Sequence, residues 1–272
     1  MLPDVVKKTL DLLCQSLSAR TTNIESVYLY GSIALNGYIE GSSDIDFLAI
    51  VREPLSQADI QAIAEAHEEV ERVLPSTDIM GAYLLLDDLM NKGTESSPLL
   101  TYYNKHLNTT GAGADINPVT WWILKKHGIK VYGSDLIFHY DLDIDALQEY
   151  VILNLNSYWV QWIERLEKQL TEVKGLEQEI NEKQLDEAVE WCTLGMLRQL
   201  YTLNEYDITS KIGAGIYGVE SLPEKWHGLI QEAMMIKLLK PDRNYTSQTQ
   251  RLDDLASLLR LIHSEANRRT LR

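Results

Sequence analysis

A chain of 272 residues has room for two domains at ~100–200 residues each, and at that length folding buries roughly three-quarters of the unfolded chain's surface, so no disulfide or metal staple is required. Its 25 Lys and Arg against 40 Asp and Glu give a formal net charge of −15, which repels phosphate backbones and excludes nucleic acid as an expected main partner. Only Cys14 and Cys192 are present, without disulfide or zinc spacing; with no signal-peptide plan and no apolar run near the ~18 residues of a membrane span, a soluble, cytoplasmic protein with no membrane partner is expected.

Val6, Leu10, Leu13 and Leu17 recur at helical spacing, which predicts an amphipathic helix over 2–20. SVYLYG (26–31) and DIDFLAIV (44–51) read as strands on either side of a Gly-rich turn. A helix follows from Pro54 to Val73, with Ile60, Ile63, Ala64 and His67 on one side, and IMGAYLLL (79–86) is a further strand. Residues 87–118, with Gly93, Gly111, Gly113, Pro98 and Pro118, read as irregular; a stretch of that length is either functional or a poorly ordered surface loop. A helix over 118–128 and a short extended segment over 130–133 close this part, after which 144–174, 183–204, 209–218, 224–239 and 247–270 are all helical in pattern. Glu164, Glu167, Lys168, Glu172 and Lys174 read as a solvated face. The expected class is α+β: a mixed sheet with helices over 1–140, then an all-α bundle over 141–272.

The most specific feature is YLYGSIALNGYIEGSSDIDFLAIV (28–51). An apolar strand ends in Gly31-Ser32, eleven residues intervene, and Asp44-Ile45-Asp46 opens the next strand. The strand period of two sends Asp44 and Asp46 to one face and Ile45 to the other. Two carboxylates side by side suit Mg²⁺, which binds through one or two carboxylates and substrate phosphates. The Gly31-Ser32 turn allows close backbone approach to phosphate oxygens, and Ser43 adds a hydroxyl. Residues 1–150 hold 10 basic and 22 acidic side chains, an excess that either keeps this half soluble or attracts metal ions or a cationic substrate.

This pattern resembles the signature of the DNA polymerase β-like nucleotidyltransferase superfamily, and within it the aminoglycoside nucleotidyltransferases of the streptomycin 3″ and spectinomycin 9 adenylyltransferase type, whose N-domain carries LYGS and SDID nearly as written here. RQLYTLNEYDITSKIGAGIYGVESLP (198–223) is similar to that family's Arg-containing helix, turn, Lys and Leu-Pro. The resemblance implies ATP as co-substrate, two Mg²⁺ ions, Asp44 and Asp46 as metal ligands, and Gly31, Ser32, Ser43, Arg198 and Lys211 as ATP-binding residues. The competing readings are an ordinary salt bridge for Arg198 and a solvated first-turn lysine for Lys211. Where the family has a Tyr that contacts the nucleotide, this chain has Lys237. A third carboxylate, metal ligand and general base, is implied on the next strand, but gapless alignment puts Met80 there. Asp78, two residues earlier on the same face, is the expected replacement, with Asp115 or a weakened site as alternatives.

The implied acceptor is a small polyhydroxylated polycation, which calls for acidic and aromatic side chains. Candidates are Asp115, Asp186, Glu187, Glu190 and Trp191, with Trp121 and Trp122 nearby in the pattern; each also reads as ordinary core or solvated surface. His106 and His127 read as structural. The function implied is Mg²⁺-dependent transfer of AMP from ATP to a hydroxyl of an aminoglycoside-type antibiotic, with release of pyrophosphate and antibiotic resistance. An antitoxin-like adenylyltransferase acting on a protein and a nucleotide-binding homologue with little catalysis are the alternatives. A helical extension of this length argues against the first; Met80 keeps the second open.

Overall fold

The structure, a computed structural model, describes residues 2–90, 100–111, 116–176 and 180–270. The chain divides into two units, Met1–Leu142 and Asp143–Arg272.

In the first unit α1 (Asp4–Arg20) leads into β1 (Ile24–Leu29), a four-residue turn of helix α2 (Gly31–Ala34), β2 (Ile45–Val51), α3 (Gln57–Val73) and β3 (Ile79–Leu85). A short α4 (Leu86–Met90), the hairpin β4 (Leu100–Tyr103) and β5 (His106–Asn108), α5 (Pro118–His127) and β6 (Ile129–Gly133) complete it. The six strands form one sheet in the order β5-β4-β3-β2-β1-β6, with β2 and β3 parallel and every other pairing antiparallel. The parallel pair is joined by α3, the crossover that parallel neighbours require.

Strand periodicity decides what each face carries. Ile45, Phe47, Ala49 and Val51 of β2 join Val27 and Leu29 of β1 and Tyr83 of β3 in a core with Leu10, Leu13 and Leu17 of α1 and Ile63, Ala66 and Val70 of α3. Asp46 has the opposite parity and so occupies the face of β2 turned away from those two helices, and Asp44 stands immediately before the strand. The start of α3 is fixed by a capping box: Ser56 Oγ accepts from Asp59 N at 3.1 Å, and Asp59 Oδ2 accepts from Ser56 N at 3.0 Å. Such caps contribute about 1 kcal/mol.

The second unit is helical: α6 (Ile144–Asn154), a π-helical turn (Leu155–Trp159), α7 (Val160–Leu176), α8 (Glu182–Glu205), α9 (Lys211–Ser221), a 3₁₀ turn (Glu224–Trp226), α10 (His227–Lys237) and α11 (Gln248–Thr270). Helix α8 is central, in contact with α6, α9, α10 and α11. Val189, Cys192, Met196 and Leu197 of α8 are fully buried, as are Leu229, Ile230 and Ala233 of α10 and Leu252, Leu255, Leu259 and Ile262 of α11. The mixed sheet followed by helices is the α+β class the sequence predicts.

Three features depart from the sequence reading. The stretch 87–118 contains the β4–β5 hairpin, turned by Asn104 and Lys105 at φ 49° and 61°. The helix expected over 144–174 is interrupted by the π turn, which seats Trp159 so close to α8 that a Cβ at Gly195 would lie 2.2 Å from its ring. The face expected to be merely solvated is partly tied down: Glu167 accepts two hydrogen bonds from Arg260, at 2.6 and 2.5 Å, and Lys174 pairs with Asp253 at 2.7 Å. No helix among the described residues is long and apolar enough to cross a membrane.

Candidate active site

Gly31 opens the turn after β1 with φ +62°, and a Cβ built on it would stand 1.8 Å from Asp46 Oδ2. Only glycine accepts both that backbone and that neighbour, so the Asp46 carboxylate lies directly over the turn. Tyr30 N donates to Asp46 O at 3.2 Å and ties the two strand ends together. Ser32 Oγ is buried and without a hydrogen-bond partner among the described residues, a polar atom left for a ligand to satisfy. Between Ser32 and Asp44 the chain folds back on itself: Gly37 N donates to Ser32 O at 2.8 Å, and Ser43 Oγ accepts from Ile39 N at 3.1 Å. The Ser43 hydroxyl therefore shapes the loop while keeping its proton to donate.

The parallel β2–β3 register settles which residues sit beside the two acids. Ile45 pairs with Ile79 and Asp46 with Met80, and Ile45 N donates to Asp78 O at 2.9 Å. Asp78 thus neighbours Asp44, and Met80 neighbours Asp46. Partial desolvation of Asp78 and then the negative charge of Asp44 push its carboxyl above the ordinary range, while Lys105 draws it back. No group of three or more His, Cys, Asp or Glu side chains among the described residues is gathered closely enough to hold a metal. Asp78, expected as a third ligand, stands beside Asp44 and one strand step of two residues before the position paired with Asp46.

Two neighbours of the acids escaped the sequence reading. Tyr38 lies close enough to Glu40 and Asp44 for both carboxylates, after burial, to raise its phenol above the ordinary value. Lys105 comes to Asp78 on the β4–β5 hairpin, its Nζ donating to Pro75 O at 3.1 Å. Asn104, a residue type that tolerates positive φ, is a weak cue to that turn, and Lys105 carries none.

In the second unit Arg198 lies half-buried on α8. Lys211 is the first residue of α9, whose N-terminus is capped by Ser210 Oγ accepting from Gly213 N at 3.1 Å. Its Nζ pairs with Glu190 Oε1 at 2.8 Å and stands 4.6 Å from the centre of the Trp191 ring. Lys237 is buried on α10.

The acceptor candidates separate into groups. Asp186 is held by Arg243 at 2.5 Å and Arg251 at 2.6 Å; burial pushes its carboxyl up, but these cations outweigh it and hold the group below its ordinary value. Arg251 also pairs with fully buried Glu232 at 2.5 Å, so Asp186 belongs to an internal ionic network joining α8, α10 and α11. Glu187, Glu190 and Trp191 instead line a cavity of about 640 Å³ together with Tyr158, Trp162 and Arg165. Trp191 is 42% exposed, and its Nε1 donates to Tyr158 Oη at 2.9 Å. Trp121 and Trp122 are core residues. Asp115 lies outside the described residues. His106 and His127, expected to be structural, are exposed, on the hairpin and in the last turn of α5. Burial lifts both Cys14 and Cys192 to a pKa of about 12, so neither thiol is a nucleophile.

No curated protein matches the chain in sequence. The spectinomycin adenyltransferase AAD(9) of Enterococcus faecialis, solved with ATP and spectinomycin, is 16% identical and aligns over 93% of this chain and 97% of its own at a TM-score of 0.58, a likeness of fold. The STING-associated CdnE c-di-GMP synthase of Capnocytophaga granulosa, 14% identical over 97% of this chain and 83% of its own, reaches a TM-score of only 0.29. The family model for the nucleotidyltransferase domain matches residues 6–83, which include Gly31, Ser32, Asp44, Asp46 and Asp78, and that for the aminoglycoside adenylyltransferase C-terminal domain matches 166–260, which include α8 and α9. Carrying the two domains in that order, the chain belongs to the aminoglycoside nucleotidyltransferase family of transferase enzymes.

Proposed function

We propose that this enzyme moves AMP from ATP to a hydroxyl of an aminoglycoside-type antibiotic, releases pyrophosphate and so confers resistance. The observation that carries the reading is the Asp46 carboxylate lying over the Gly31-Ser32 turn, with Asp44 immediately before the same strand and a Ser32 hydroxyl that has no partner among the described residues. Two carboxylates fit Mg²⁺, a hard cation that completes its shell with phosphate oxygens and water. Asp44 and Asp46 would hold it; when bound, it neutralises triphosphate charge as pyrophosphate departs. Ser32 and Ser43 offer hydroxyl donors and the turn offers backbone N-H groups to phosphate oxygens. Arg198 and Lys211 are the cations assigned to the triphosphate. Asp78, with its raised proton affinity, takes the proton of the attacking acceptor hydroxyl.

The acceptor reading rests on the cavity lined by Glu187, Glu190 and Trp191, where carboxylates and an aromatic ring meet the needs of a polyhydroxylated cation. Asp186 is left out of it because its charge is already spent on two arginines. A second reading, nucleotide binding with little catalysis, is favoured by Met80 opposite Asp46.

Incubation of the purified chain with ATP, Mg²⁺ and a panel of aminoglycosides, read by mass spectrometry, separates these readings. A mass gain of one AMP on an antibiotic is the expected result. AMP on protein instead would favour the antitoxin-like activity, and ATP binding without transfer the second reading.

A further inference from the structure

We infer that Glu190 couples the nucleotide to the acceptor by an exchange of partners with Lys211; the inference rests on the assignment of Lys211 to triphosphate and of the α7–α8 cavity to the acceptor. Glu190 stands at the junction of the two. Its Oε1 is 2.8 Å from Lys211 Nζ, and the same side chain lines the cavity of about 640 Å³ beside Glu187 and Trp191. The side chains of Lys211 and Glu190 are 20% and 16% exposed, so their attraction is screened less than that of a surface pair. Lys211 also lies over the Trp191 ring at 4.6 Å, and that ring is a wall of the cavity. One ammonium thus occupies both the carboxylate and the aromatic face that a cationic acceptor would use.

Each ligand releases the residue the other needs. A triphosphate offers Lys211 several anionic oxygens and draws the ammonium from Glu190 and Trp191, leaving a carboxylate and a ring free for an acceptor cation. A cation bound to Glu190 likewise frees Lys211 for phosphate. Linkage makes the effect reciprocal: whatever factor the nucleotide adds to acceptor affinity, the acceptor adds to nucleotide affinity. Trp191 is kept in place during the exchange by its Nε1 hydrogen bond to Tyr158 Oη, which is displayed by the π-helical turn. Glu190 is thereby a specificity-determining residue that admits a cationic acceptor chiefly after ATP, and so discourages unproductive complexes.

The test is titration calorimetry on the full chain with Mg²⁺, a non-hydrolysable ATP analogue, and streptomycin and spectinomycin as acceptor probes. In the wild type the analogue should raise acceptor affinity by at least about fivefold, the lower end of the usual range for coupled sites. Glu190→Gln, nearly isosteric, should lose acceptor affinity, gain analogue affinity because Lys211 no longer has an internal competitor, and bring the coupling factor close to one. Glu190→Ala, helix-compatible and without a polar remnant, should do the same and carries the test should the Gln variant fold poorly. Undiminished coupling in these variants, or weaker analogue binding, overturns the proposal. Lys211→Met separates this from its premise: unchanged analogue affinity there removes Lys211 from the triphosphate and the proposal falls with it, whereas lost affinity with coupling intact in Glu190→Gln overturns the exchange alone. Failure of both probes to bind in either state contradicts the acceptor reading itself.

Discussion

Met80 lies across from Asp46 in the parallel β2–β3 ladder, and Asp78, whose carbonyl accepts from Ile45 N, lies beside Asp44 just before the two strands begin. Asp78 is therefore offset from Asp46 toward the start of the strand, and the Met80 thioether stands beside Asp46. If Asp78 is the base, Asp78→Asn should lower kcat by ~10²- to 10⁴-fold while leaving ATP affinity largely intact. Met80→Glu should then fail to help, because a longer acid beside Asp46 adds like charge and needs room. Steady-state kinetics of both variants decide the point: a harmless Asp78→Asn together with a Met80→Glu that raises activity would show that the native site lacks its base.

Gly31 offers a sharper test of geometry. Gly31→Ala meets a φ of +62° that costs an L-residue about 1–2 kcal/mol, and its Cβ meets Asp46 Oδ2 at 1.8 Å. Thermal unfolding should show a modest loss of stability, and turnover should fall far more than stability does, because Asp46 must leave its position. Equal, small losses in both would mean that Asp46 has freedom the turn does not control.

How much of this was legible in the sequence depends on the range of the interaction. The Gly31-Ser32 and Asp44-x-Asp46 spacing, the strands around it and the stripe of α1 are local patterns, and each is read from a few consecutive residues. The β4–β5 hairpin was hidden because strands of four and three residues are too short to display a period. The fate of Asp186 was hidden for a different reason: its partners Arg243 and Arg251 lie on the far side of two helices in sequence, and no helical periodicity distinguishes a paired acid from a solvated one. Lys211 and Glu190 illustrate the same limit, since only α8 packing against α9 brings them together.

The network around Asp186 predicts an asymmetric response to mutation. Arg251 is 1% exposed and Glu232 fully buried, so Arg251→Met should strand the Glu232 charge and destabilise the second unit by about 3–5 kcal/mol. The double variant Arg251→Met with Glu232→Gln should recover much of that loss in chemical denaturation. A double variant no more stable than the single one would mean that the arginine stem packs more than its charge pairs.

His67 predicts a pH dependence in the first unit. It is buried between α3 and the sheet, stacked on Tyr102 at 3.7 Å and sharing a hydrogen bond of 2.9 Å with Tyr83, whose phenol also feels Cys14 of α1; Tyr102 in turn donates to Glu71 of α3. Burial drives its pKa from 6.5 to about 3, so below pH 6.5 the unfolded chain binds a proton that the folded chain refuses. Stability contributed by the neutral imidazole is complete above pH 6.5 and declines as pH falls toward 3. Between pH 7 and 4.5 the wild type should lose on the order of 2 kcal/mol more than His67→Gln in urea denaturation. Parallel stability profiles for the two proteins would contradict the neutral, buried state.

The central claim is that the two strand carboxylates support AMP transfer to a cationic antibiotic, and the most direct measurement is the rate of adenylylated product formation by wild type, Asp44→Asn and Asp46→Asn with ATP and Mg²⁺. Wild type should convert at least one aminoglycoside, and each variant should be slower by ~10²-fold or more with its fold intact by circular dichroism, the loss that follows removal of a principal electrostatic stabiliser. Retention of more than about a tenth of the wild-type rate by either variant, far above that expectation, would contradict the assignment of the site to Asp44 and Asp46.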